Sequence, residues 1–181
     1  MIELWPVVPD GERWQWTLEP FVAVGPLRFG MSPAEAADAL RQATAEAEPH
    51  RHYHPAPCSL RDSEDGRYLD FGLRLYYGQG RLAAVIVNAL CGPQVLVDGA
   101  ALVARVPSAV ERWMLDRAAA HEPDGEVVYM GGGLVCSESL GVVINVQRAG
   151  DRLITRPMFL SAEALDGGSY FLPEDLWEIE R

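Results

Sequence analysis

The chain has 181 residues, 49 % of them hydrophobic, and its 26 acidic and 15 basic side chains give a formal net charge of −11. This length and apolar content suffice for one substantial core or for two small ones. The charge argues against DNA or RNA as a partner, because a polyanion would be repelled at long range, and it favours a basic protein.

The N-terminal segment MIELWPVVPDGERWQW, residues 1 to 16, lacks the basic region and apolar run of a secretory signal. No window approaches the roughly 18 apolar residues that a membrane-spanning helix needs. Cys58, Cys91 and Cys136 are odd in number and lack C-x-x-C spacing, which argues against a disulfide framework and against a zinc site. We therefore expect a cytoplasmic protein that contacts no membrane and uses no cofactor.

The first predicted element is a strand in the segment ERWQWTL, residues 12 to 18. Its alternation places Trp14, Trp16 and Leu18 on one face, as in a strand with one buried side. We expect this strand to extend the sheet formed by the first half of the chain.

The first predicted helix covers residues 32 to 48. Ser32 and Glu35 form an S-x-x-E capping box, in which the hydroxyl and the carboxylate satisfy free amides at the start of a helix. Pro33 suits the first helical position because its missing N–H costs nothing there. Pro49 disfavours helical geometry in the preceding residue and ends the helix.

Three of the four histidines, His50, His52 and His54, fall in the segment HRHYH that follows this helix. A shift of 76 positions aligns the segment with EVVYM, residues 126 to 130, whose β-branched and aromatic content predicts a strand. The three imidazoles then form one row, which we place on the open face of the sheet because burying them unpaired would cost several kcal/mol. The ends of the row lie about 13 Å apart, too far to share one ion, so we expect no metal site.

Residues 71 to 87 predict a β-hairpin, since two alternating runs flank a glycine-containing turn. One side of its first strand suits packing on a helix and carries Phe71, Leu73, Leu75 and Tyr77. The other side carries Asp70, Arg74 and Tyr76.

The second half of the chain repeats this order of elements. Ser108 and Glu111 form a second S-x-x-E box 76 residues after the first and predict a helix over residues 108 to 122. A strand at residues 126 to 130 and a hairpin over residues 140 to 159 follow, with a turn about two residues longer than that of the first hairpin.

The second hairpin also has two unlike faces. Its predicted inward residues are Leu140, Val142, Ile144 and Val146. Its predicted open face carries Asn145, Gln147, Arg156 and Met158. Because aromatic, arginine, methionine and amide groups of this kind are common at interfaces, we predict that Arg74 and Tyr76 bind a partner together with these four residues. A merely solvated sheet face is the alternative.

Catalytic motifs are absent from the sequence. The glycines at residues 131 to 133 precede a strand-like run, whereas a phosphate-binding loop would lead into a helix with Lys and Ser or Thr. Cys136 would need an activating base to act as a nucleophile, so we interpret it as a buried inert thiol. We therefore predict no catalytic residues and no enzyme.

The segment LRFGMSPAEAADAL, residues 27 to 40, resembles a strand–Gly-Met-Ser/Thr–helix signature. This signature is found in tandem-repeat proteins similar to the β-lactamase inhibitor proteins, and SmpA/OmlA-like lipoproteins carry a related one. In the inhibitors, two helix-plus-sheet units set their sheets side by side, and the concave face grips a partner protein. The repeat and the resemblance together predict an α+β fold of two tandem repeats, each a helix packed on an antiparallel sheet with a hairpin. The first repeat takes residues 1–95 with the N-terminal extension, and the second takes residues 96–181 with the C-terminal tail.

We expect a non-enzymatic protein-binding module, specifically a cytoplasmic immunity or neutralising protein that binds and inhibits a basic toxin or enzyme domain. No nucleic acid, membrane, metal or cofactor is expected. The alternative is a small-molecule- or metal-binding enzyme domain that uses the row His50, His52 and His54.

Overall fold

The computed structural model of the chain describes residues 5–46, 67–68, 71–121 and 127–166. The predicted histidine strand at residues 50 to 54 lies outside these ranges and stays a prediction. Within them the chain is an α+β protein with two sheets rich in antiparallel pairs, which confirms the predicted fold class at this level.

Three helices lie within the described residues, at Pro33–Glu46 (α1), Pro107–His121 (α2) and Ala162–Asp166 (α3). The same residues contain strands at Gln15–Glu19 (β1), Ala23–Val24 (β2), Leu27–Arg28 (β3), Arg67–Tyr68 (β4), Leu73–Gly78 (β5), Arg81–Val87 (β6), Gln94–Val97 (β7), Ala100–Ala101 (β8), Val127–Tyr129 (β9), Val135–Ser137 (β10), Val142–Ala149 (β11) and Arg152–Leu160 (β12). In this part of the chain, no helix is both long and apolar enough to span a membrane.

The strands form a five-stranded sheet in the order β3-β2-β1-β7-β8 and a seven-stranded sheet in the order β4-β5-β6-β12-β11-β10-β9. Strands β1 and β7 pair in parallel within the five-stranded sheet. The prediction that β1 extends the sheet of the first hairpin is therefore wrong, because β5 and β6 belong to the seven-stranded sheet. In the seven-stranded sheet the hairpins β5–β6 and β11–β12 meet at the centre, where Ile86 lies opposite Met158.

The predicted start of α1 is confirmed. The amide of Ser32 donates to the Glu35 carboxylate at 2.7 Å, and the amide of Glu35 donates to the Ser32 hydroxyl at 3.3 Å. These reciprocal bonds satisfy amides that have no partner within the helix. They also lower the pKa of the Glu35 carboxyl, because hydrogen bonds to the charged form favour it.

The predicted capping box of α2 is wrong. The helix begins at Pro107, which puts Ser108 inside the first turn, and the carbonyl oxygen of Val106 accepts the amide of Val110. Glu111 instead accepts a hydrogen bond from the Tyr129 hydroxyl at 2.6 Å and so joins α2 to β9. The feature that the two helix starts share is a proline at the first helical position, with the two prolines 74 positions apart.

Both hairpins of the seven-stranded sheet turn through two residues, at 79–80 and at 150–151. The prediction of a longer second turn is therefore wrong. The added length lies in the strands, since β11 has 8 residues and β5 has 6. In the first turn Gln79 and Gly80 adopt φ values of 51° and 74°, the left-handed geometry of a two-residue hairpin turn.

The largest apolar core joins both sheets, α1 and α2. It takes residues from both predicted halves of the chain, including Leu40 of α1 and Met114 of α2. Its members include the predicted inward residues Leu73, Leu75, Leu140, Val142 and Ile144, and the predicted buried face of β1, Trp16 and Leu18. The period-2 alternation therefore identified the core side of three strands correctly.

A buried arginine ties the N-terminal segment to the loop between β6 and β7. Arg13 is only 2 % exposed. Its Nε donates to the Val8 carbonyl oxygen at 2.8 Å, and its Nη1 donates to that of Gly92 at 2.7 Å. Its Nη2 donates to the carbonyl oxygens of Ala89 and Leu90 at 2.7 and 3.2 Å. Burial lowers the pKa of Arg13, and these carbonyl oxygens replace the water that the guanidinium loses.

Candidate functional site

The six candidate partner-binding residues do not form an exposed surface. Asn145, Gln147, Arg156 and Met158 are at most 4 % exposed, and Arg74 and Tyr76 are half-buried. The expectation that this sheet face is open to solvent is therefore wrong. The role of these residues in partner binding stays a prediction.

The sheet face is buried because most of its residues are apolar. Directly opposed residues form a row across five strands: Arg74, Ile86, Met158, Val143 and Cys136. All but the arginine belong to a second apolar cluster, which also contains Ala164 of α3. The sequence signal for this burial is the continuous apolar run of β6, from Leu82 to Val87, which is typical of central strands covered on both faces.

The polar residues of this face make hydrogen bonds within the protein. The Gln147 Oε1 accepts the amide of Ala89 at 2.7 Å, and its Nε2 donates to Asn88 Oδ1 at 3.3 Å. Asn145 Oδ1 accepts the amide of Val146 at 2.7 Å. Gln147 thus contacts the same loop as Arg13.

A cleft of about 700 Å³ lies where the β1–β2 turn, the segment after β3, the β5–β6 turn and α3 meet. It is lined by Phe21, Phe29, Gly30, Gly78, Gln79, Arg81, Leu82, Ala83, Ser161, Ala162, Glu163 and Ala164. The buried side chains of Ala83 and Ala164, which belong to one apolar cluster, form an apolar floor, and the half-buried rings of Phe21 and Phe29 form the walls. None of the residues in this lining was among the candidates from the sequence.

Phe21 holds a strained backbone conformation at the cleft wall. The amide of Val22 donates to the Glu19 carbonyl oxygen at 2.9 Å and closes a turn in which Phe21 is the third residue, with φ 60°. Glycine is usual there, because the left-handed conformation costs a side-chain-bearing residue about 1–2 kcal/mol. The ring packs so closely on Gly141 that a Cβ at Gly141 would lie 2.7 Å from it. This contact fixes the Phe21 ring in the wall.

The rim of the cleft carries charges of both signs. Arg81 is exposed, and its Nη1 donates to the Gly30 carbonyl oxygen at 3.3 Å. Its positive charge also reaches Glu35, whose pKa is lowered first by hydrogen bonds from Ser32 and further by Arg81. Glu163 is exposed in the first turn of α3. An apolar floor with a charged rim suits the binding of an apolar group that bears a charge beside it.

The lining of the cleft carries few ionisable or nucleophilic side chains. It offers one carboxylate, one guanidinium and one serine hydroxyl, and that hydroxyl accepts the amide of Ala164 at 3.1 Å. Across the described ranges, no three or more His, Cys, Asp or Glu side chains are grouped so that they could hold a metal ion.

Cys136 should be inert towards thiol reagents in the folded protein. It is 2 % exposed, and burial, with a contribution from the charge of Glu138, raises the pKa of its thiol to about 11. At about pH 8 nearly all of it is the unreactive thiol, so we expect Cys136 to be alkylated at least about 100-fold more slowly than half-exposed Cys91. Peptide mass spectrometry after timed iodoacetamide labelling measures both rates, and denatured protein is the control. Equal labelling rates in the folded protein would contradict the burial of Cys136.

No protein family, curated protein or solved structure matches the chain. The likeness to the β-lactamase inhibitor proteins and to SmpA/OmlA-like proteins accordingly stays a prediction.

Proposed function

We propose that the chain is a non-enzymatic protein-binding module that binds and neutralises a basic toxin or enzyme domain in the cytoplasm, as an immunity protein does. The observation that carries the proposal is the net charge of −11 on a chain of 181 residues. A charge of this size accelerates encounter with a basic protein and disfavours nucleic acids. The cleft supports the proposal, because it offers a concave apolar surface with aromatic walls.

We propose further that the fold consists of two tandem helix-on-sheet repeats, in residues 1–95 and 96–181. Two observations support this arrangement. The hairpins β5–β6 and β11–β12 lie side by side at the centre of one sheet, and each half has one long helix that begins with proline. In this proposal, Arg74 and Tyr76 remain partner-binding residues, because both are only half-buried. The two side chains lie together, with the guanidinium carbon of Arg74 6.0 Å from the centroid of the Tyr76 ring.

A small-molecule ligand is the second candidate, and the size of the cleft favours it. A volume of about 700 Å³ falls within the range of about 300–1,000 Å³ that is usual for small-molecule sites. The version of this alternative that uses the histidine row concerns residues 50 to 54, outside the described part of the chain.

The proposal is tested by capturing the partner with the purified chain, identifying it, and reconstituting the complex from two purified proteins. We expect a basic partner whose association rate constant falls by about tenfold or more between about 50 and 500 mM salt, while the dissociation rate changes little. Exposed arginines on this chain, such as Arg41, provide a control, because their removal should not slow association. A nucleic-acid ligand held at physiological salt, or turnover of a small molecule, would overturn the proposal.

A further inference from the structure

We infer that the cleft receives a short segment of the partner in which an aromatic or large aliphatic side chain stands next to a lysine or arginine. This inference rests on the proposed function and specifies which chemistry the partner presents. It concerns the cleft lined by Phe21, Phe29, Arg81 and Glu163 and excludes the buried sheet face.

The shape and lining of the cleft require an apolar anchor. Ala83 and Ala164 are buried at its floor and belong to the same apolar cluster. The rings of Phe21 and Phe29 flank this floor, and the strained turn and the contact with Gly141 hold Phe21 in place. A large apolar side chain in this cleft would lose water where it contacts the floor and the rings, as the anchors of protein interfaces do.

The charges around the cleft select a cation beside that anchor. The lining carries one exposed carboxylate, Glu163, and one exposed guanidinium, Arg81. The charge of Arg81 is offset by Glu35, whose pKa it helps to lower, so Glu163 leaves a negative charge at the rim. A lysine or arginine at the rim meets this negative charge, in agreement with the charge of the whole chain.

The backbone of the cleft is already paired, which argues against recognition by an added β-strand. The amide of Gly30 donates to the Leu82 carbonyl oxygen at 2.9 Å, and the Leu82 amide donates to that of Met31 at 2.7 Å. The amide of Ser161 donates to the Ala83 carbonyl oxygen at 2.9 Å. Side chains must therefore supply most of the contacts, so short peptides are adequate probes.

The test uses two peptides, acetyl-Lys-Trp-Lys-amide and acetyl-Glu-Trp-Glu-amide, titrated into the folded full chain and followed by amide chemical shifts in NMR spectra. We expect the basic peptide to shift amides of Gln79, Ala83, Ser161 and Ala164 and to bind at least about threefold more tightly than the acidic one. The variant Glu163→Lys should remove this preference. The variant Ala162→Trp, at an exposed position, should fill the cleft and abolish the shifts.

Asp151→Lys is the matched control for the charge change. Its turn lies at the other end of the sheet from the β5–β6 turn, because β6 and β12 are antiparallel with Ala84 opposite Leu160 and Ile86 opposite Met158. This variant should bind the basic peptide as the native chain does. Equal binding of both peptides, no binding of either, or shifts confined to other surfaces would overturn the inference. A reconstituted basic partner that binds Glu163→Lys and Ala162→Trp unchanged would overturn it as well, and would leave the proposed function standing.

Discussion

Replacing Arg13 with alanine is expected to lower the free energy of unfolding by about 3–5 kcal/mol. The guanidinium is 2 % exposed and donates to four carbonyl oxygens, three of which belong to the loop between β6 and β7. Alanine leaves these acceptors without their charged donor and opens a cavity beside them, and each effect destabilises the folded chain. Urea-induced unfolding followed by tryptophan fluorescence measures the change.

Two variants make this prediction specific. Arg41→Ala removes the same side chain from the exposed surface of α1, where the Arg41 side chain is 76 % exposed, and should cost less than about 0.5 kcal/mol. Arg13→Lys keeps the charge and loses the planar fork that reaches several carbonyl oxygens at once, so its cost should fall between the other two. If Arg13→Ala and Arg41→Ala unfold at the same urea concentration, Arg13 does not hold the loop.

Local rules predicted those parts of the fold that local interactions determine. The capping box at Ser32 and Glu35 identified the start of α1, because its hydrogen bonds lie within four residues. Alternation identified the inward faces of β1, β5 and β11, because a strand shows its two faces in its own sequence. At the start of α2 two local signals compete, and the proline at position 107 prevailed over the S-x-x-E pattern that begins one residue later.

Contacts between distant segments explain what the sequence did not reveal. Arg13 donates to four carbonyl oxygens, and three of them belong to residues 76 to 79 positions away in the sequence. The fourth is that of Val8. The second face of the seven-stranded sheet joins residues of both hairpins with Ala164 of α3 in one apolar cluster, and the sequence of β6 does not show that β12 is its neighbour. The cleft likewise brings together three segments that start at residues 21, 78 and 161. The open-face prediction failed for this reason, since it treated each hairpin as a separate sheet.

Replacing Gly141 with alanine is expected to cost about 3–4 kcal/mol, through both backbone strain and a steric clash. Gly141 has φ 63°, and a Cβ on it would lie 2.7 Å from the Phe21 ring and 2.9 Å from the Leu160 carbonyl oxygen. Thermal unfolding followed by circular dichroism measures the total cost. The same variant should displace the Phe21 ring from the cleft wall and weaken binding of the basic peptide.

Gly150→Ala separates the two causes, because Gly150 has nearly the same backbone angle, φ 64°, but has no atom within 4 Å of the place a Cβ would take. Its cost should be that of the left-handed conformation alone, about 1–2 kcal/mol. The difference between the two variants then measures the contact of Gly141 with Phe21 and Leu160. Adding Phe21→Ala to Gly141→Ala should recover part of that difference, since the ring is one of the two groups in the way. Equal costs for the two glycine variants would mean that the Phe21 ring moves aside easily. The cleft wall would then not be preorganised, although recognition at the cleft depends on a preorganised aromatic surface.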